Sequence, residues 1–132
     1  MSAQNTNASS AAVQSQMSME IIEEVQANLA RLNAQLQAAQ EEKVQLTERL
    51  EKDQQLLDES TQVSNNMNAL KMKMGTDAFR DAGLYLEYVK LQMDVLKICC
   101  FIVNTRREIA NNEKVLKEGE ELKKQYEAFL QK

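Results

Sequence analysis

The side chains in this 132-residue chain with the most chemical potential are two adjacent cysteines, three adjacent carboxylate pairs and two neighbouring tyrosines. Cys99-Cys100 lies inside Lys97-Ile98-Cys99-Cys100-Phe101-Ile102-Val103. Neighbours on a helix point about 100° apart, so these thiols do not bridge one another without distorting the backbone. They read as small buried hydrophobes of a reducing compartment, with palmitoylation or an intermolecular disulfide as alternatives. Glu23-Glu24, Glu41-Glu42 and Glu120-Glu121 supply paired carboxylates. Adjacent acidic pairs on helices belong to solvated faces, because ionised carboxylates are rarely buried without a partner. Tyr85 and Tyr88 stand at helical spacing and suit interface packing better than stacking against nucleotide bases.

The missing residue types narrow the chemistry further. The sequence has no His, no Pro and no Trp. Without His there is no ordinary near-neutral acid/base and no imidazole ligand, so the Glu-x-x-His pairs of a di-metal helical bundle are not available. No Gly-rich phosphate loop, spaced Cys cluster or Ser elbow occurs. No enzymatic activity, cofactor, metal site or small-molecule substrate is expected. Sixteen basic against twenty acidic residues give a net charge of −4. Arg106-Arg107 and Lys123-Lys124 alternate with Glu, so no continuous basic strip invites nucleic acid or an anionic membrane. The longest apolar run, Ile98 to Val103, is far short of the ~20 residues that span a bilayer. The start of the chain lacks the basic-then-apolar pattern of a signal peptide, and neither Met1-Ser2 nor Phe129-Leu130-Gln131-Lys132 matches a lipidation motif. A cytoplasmic location is expected.

The elements that position these residues are helical. The composition is 43% hydrophobic and 27% charged with only three Gly, a profile that suits long helices. Residues 1–18 carry no charge and few large apolar groups, and predict a disordered polar tail. From residue 19 to 74, Ile22, Val25, Leu29, Leu32, Leu36, Ala39, Leu46, Leu50 and Leu57 recur at three-then-four spacing, with Lys43 and Asp53 in polar slots. Beyond Leu57 the apolar residues fit a row displaced by one position: Val63, Met67, Leu70 and Met74. Such a displacement predicts a local slip and a weak point at Ser60–Asn66. From residue 77 to 131 the period returns as Leu84, Tyr88, Leu91, Val95, Ile98, Ile102, Ile109 and Leu116, with Thr105 and Asn112 in its polar slots. Tyr126 and Leu130 continue that row past Gly119 and Lys123.

Gly75 suits the left-handed residue that ends a helix, and Thr76 or Asp77 suits the cap of the next. The expected fold is all-α: a long antiparallel helical hairpin of coiled-coil type, with arms at 19–74 and 77–131, a turn at about 75–77 and an oligomeric state. An alternative puts the turn at Ser60–Asn66 with a second break near Asn111-Asn112, giving three shorter helices. With the turn at Gly75-Thr76, paired positions total about 150, so 84–103 faces roughly 47–66.

Residues 84–103 are too apolar for one neighbour. Their charges, Glu87, Lys90, Asp94 and Lys97, form a single narrow stripe. Beside the row of Leu84, Tyr88, Leu91, Val95, Ile98 and Ile102 runs a second one, Tyr85, Val89, Leu96, Cys99 and Val103. Together they are the candidate association face, because soluble monomers rarely leave such a patch exposed. The expected partner is a second copy of the chain or another helical protein. The expected function is that of a non-catalytic coiled-coil structural or adaptor subunit. A small helical chaperone is the alternative, since Met67, Met72, Met74 and Met93 supply adaptable side chains. Prefoldin subunits share the size and the helix–middle–helix plan, although residues 65–84 hold no alternating strands where that family has a β-hairpin. Chaperones and filament subunits of secretion machines likewise share the uncharged, Ser/Ala/Gln/Asn-rich start.

Overall fold

The structure, a computed structural model, describes side chains from Ser18 to Gln131. The polar tail expected over residues 1–18 lies outside that range, Ser18 excepted. Three helices follow in order: α1 (Ser2–Met74), α2 (Thr76–Asp81) and α3 (Leu84–Gln131). The described residues contain no strand. With no Pro in the chain, nothing removes a backbone donor from either long helix.

Two glycines break the helical path. Gly75 (φ 86°) and Gly83 (φ 75°) both have positive φ, a region that side chains with a Cβ avoid. A Cβ at either position would meet no atom, so the requirement for Gly is one of backbone conformation, not of space. The Gly75 N–H donates to the Lys71 carbonyl at 2.9 Å and closes α1. Gly75 is also the N-cap of α2, and no side chain caps that helix. Asp77, expected as a possible cap, instead accepts from Arg80 at 2.9 Å. The Gly83 N–H donates to the Arg80 carbonyl at 2.9 Å and turns the chain into α3.

The chain divides into two compact units, residues 42–112 and residues 1–41 with 113–132. In the first, the two long helices run antiparallel, with Ser64 opposite Gln92 and Arg49 opposite Glu108. Paired positions therefore total 156 or 157, not about 150. The physical reason is that α2 and its flanking glycines occupy 75–83, which moves the midpoint of the reversal to Ala78-Phe79. Residues 84–103 consequently lie opposite about 54–73, further along α1 than a two-residue turn allows.

The inward row of α1 in this unit also differs from expectation. It runs Lys43, Leu46, Leu50, Asp53, Leu57, Ser60, Ser64, Met67 and Lys71, all buried or half-buried and without any slip. Of the displaced apolar row only Met67 turns inward; Val63 is 49%, Leu70 42% and Met74 39% exposed. A slip of one position would turn the helix by about 100°. The unbroken helix avoids it because two polar slots past Leu57, Ser64 and Lys71, find partners on α3. Gln92 donates from its side-chain nitrogen to the Ser64 hydroxyl. The Lys71 ammonium lies 5.8 Å from the Tyr85 ring centre and 5.7 Å from that of Tyr88, a cation–π geometry. α1 accordingly continues through Ser60–Asn66, and the three-helix alternative with a turn there is not what forms.

The facing row of α3 is Leu84, Tyr88, Leu91, Val95, Ile98, Ile102, Thr105, Ile109 and Asn112, each buried or half-buried. Asn112 is 9% exposed and its side-chain oxygen has no hydrogen-bond partner. Asn112→Leu is expected to stabilise the fold by about 1–3 kcal/mol, since an unmet buried acceptor is replaced by apolar contact. Urea denaturation followed by circular dichroism measures this; a lower midpoint would show that Asn112 makes a needed contact.

In the second unit, Val25, Leu29, Leu32, Leu36 and Ala39 of α1 are buried or half-buried, as are Leu116, Gly119, Lys123, Tyr126 and Leu130 of α3. Gly119 is there by close approach: a Cβ would collide with the Leu36 side chain. Ile22 lies outside this row at 41% exposure.

Candidate association face

The eleven side chains expected to form one face divide between two sides of α3. Leu84, Tyr88, Leu91, Val95, Ile98 and Ile102 turn toward α1; Ile98 is 8% and Ile102 4% exposed. Tyr88 meets the edge of the Phe79 ring at 6.2 Å between centres and 82° between planes. Val89 and Cys99 are half-buried flanks. Only Tyr85, Leu96 and Val103 of the proposed face are exposed, and the Tyr85 ring is already engaged by Lys71.

Four exposed apolar residues here were absent from the sequence-based face: Leu86, Met93, Cys100 and Phe101. Three of them complete a different row. Leu86, Val89, Met93, Leu96, Cys100 and Val103 recur at three-then-four spacing with no polar member. At about 100° per residue this row centres roughly 150° from the row that faces α1. It shares Val89, Leu96 and Val103 with the expected row and takes Leu86, Met93 and Cys100 in place of Tyr85, Gln92 and Cys99; the signal that finds it is that the expected row must pass through Gln92 and ends against Arg106. Cys99 and Cys100 are free thiols, and Cys100 is exposed, contrary to the reading of both as buried.

Phe101 points to the other flank of α3. It lines an open hollow with Arg49, Asp53, Asn104, Thr105 and Glu108, across which Arg49 and Glu108 pair at 2.9 Å. Both partners are more than half exposed, so the pair contributes under about 1 kcal/mol. A second open hollow, between Gln54, Leu57, Asp58, Cys99, Ile102, Val103 and Arg106, lies on the side of the apolar row. In the other unit, Ser18, Ile21, Ile22, Phe129 and Leu130 line a small apolar notch. Among the described residues no three His, Cys, Asp or Glu side chains gather as a metal site, and no helix is long and apolar enough to cross a membrane.

Comparison with family models, with curated proteins and with solved structures finds no match to the chain.

Proposed function

We propose that the chain is a non-catalytic helical structural or adaptor subunit that works through coiled-coil association, with the outward row of α3 as its principal contact. One observation carries this reading. The inward row of α3 is already satisfied by α1, yet Leu86 (61%), Met93 (56%), Leu96 (65%) and Val103 (53%) remain exposed on a second, wholly apolar row. An apolar row of that regularity serves a neighbour, because a soluble chain otherwise loses free energy by wetting it.

The test is Met93→Asp with Leu96→Asp. Met93 is 56% and Leu96 65% exposed, so helicity should fall little, while association of the chain with itself or with a helical partner should be lost. Circular dichroism and light-scattering mass read the two effects. Association that survives the double change would sink the proposal.

Exposed methionines favour a second reading, a small helical chaperone. Met72 is 80% exposed, and Met74 and Met93 also reach solvent. Flexible thioethers suit varied apolar clients. Suppression of aggregation of a heat-unfolded client protein, lost on replacing these three residues with Ser, would support it.

A further inference from the structure

We propose that the outward row of α3 is covered by a second copy of the same chain, with the two α3 helices parallel and in register. This inference rests on the associative role above and names its partner. The first argument is self-complementarity. Leu86, Met93 and Cys100 occupy one set of core positions and Val89, Leu96 and Val103 the other, so two identical rows interlock with no polar side chain set against an apolar one. Area is the second argument. With Leu86, Met93, Leu96 and Val103 more than half exposed, Cys100 exposed and Val89 half-buried, the row presents roughly 500 Å² per copy, so two copies bury about 1,000 Å², the least that a specific interface needs.

Charge decides the orientation. The row is flanked on one side by Lys90, Lys97 and Asn104, and on the other by Tyr85, Gln92 and Cys99. Antiparallel pairing centred on the row sets Lys90 of each copy against Lys97 of the other, two like-charge contacts in one interface. Parallel pairing sets Lys90 beside Tyr85 of the second copy and Lys97 beside its Gln92, with no like-charge contact. The parallel register also places Cys100 opposite Cys100 at the same height, whereas Cys99 lies outside the core. Like core positions in such a pair approach within the roughly 4.4–6.8 Å between Cα atoms that a disulfide spans. In the antiparallel pair the two Cys100 residues are separated by about eleven residues, or roughly 16 Å.

The experiment uses the full chain. Its mass is measured by light scattering across a concentration series, and the two thiols are then oxidised with diamide and resolved without reductant. The expected result is a dimer that cross-links covalently. Cys100→Ser should lower the cross-linked fraction about tenfold or more, and Cys99→Ser should leave it within about twofold. A dimer that does not cross-link through Cys100 overturns the parallel register. A monomer at all concentrations overturns the second copy as the occupant. Binding of anilinonaphthalene sulfonate to that monomer separates the two proposals. Dye binding abolished by Leu96→Asp leaves the face available to a different partner, so the associative role stands while this inference falls. No dye binding overturns both.

Discussion

Phe79→Ala is expected to destabilise the chain by about 3–5 kcal/mol, the usual cost of emptying a buried aromatic site. Phe79 is the one large side chain among the described residues with no solvent exposure. It sits in the middle of α2, where the chain reverses, and its ring meets Tyr88 edge-on at 6.2 Å. Helix α2 is only six residues long and has no side-chain cap, so it has little stability of its own. Phe79 therefore fixes α2 against the start of α3, and α2 sets the register of the two long helices. Since whole domains are stable by only about 5–15 kcal/mol, the loss is a large fraction of the total. A fall in the urea midpoint with an unchanged slope is the expected signature. A shift under about 1 kcal/mol would mean that the reversal holds without its aromatic plug.

The second large effect is a contrast between two residues of one helix. Ile98→Asp should cost about 4 kcal/mol or more, because it removes buried apolar contact and places an unpaired carboxylate against α1. Leu96→Asp, two residues earlier, should cost under about 1 kcal/mol in the isolated chain at high dilution. Ile98 is 8% exposed and Leu96 65%, and residues two apart on a helix point about 200° from one another. Circular dichroism at several urea concentrations separates the pair. Equal tolerance of both changes would refute the assignment of inward and outward rows. The same contrast makes Leu91 and Ile98 unsuitable for testing association, since changing either one reports on the hairpin itself.

Much of the helical architecture is legible in the residues. Leu84 through Leu116 mark the inward row of α3, including its polar slots at Thr105 and Asn112, because a helix facing one neighbour repeats its contacts at three-then-four spacing. Gly75 marks the end of α1 for an equally local reason, the positive φ that other residues avoid. Past Leu57 the same method misleads. Val63, Leu70 and Met74 look like a shifted row because hydrophobicity alone ranks them above Ser60, Ser64 and Lys71. The ranking fails because Gln92 satisfies Ser64, and two tyrosine rings receive Lys71. Those partners are more than a dozen residues away in sequence, beyond the reach of any local pattern.

The outward row departs from the expected one at Leu86, Met93 and Cys100, and for a related reason. Residues 84–103 are apolar on most sides, so several three-then-four rows can be drawn through them. Which row faces outward depends on how α3 is turned about its axis, and that rotation is set by α1, not by α3.

By itself the sequence determined that the chain forms long helices, that one of them ends at Gly75, and that residues 84–103 carry more apolar surface than one neighbour needs. These follow from composition, period and backbone sterics, which act over a few residues. Only the tertiary structure decided the register of α1 on α3, the burial of Phe79, and the separation of Ile98 from Leu96 onto opposite sides. These depend on packing between residues distant in sequence, and within residues 42–112 the insertion of α2 at the reversal raises the total of paired positions from about 150 to 156 or 157.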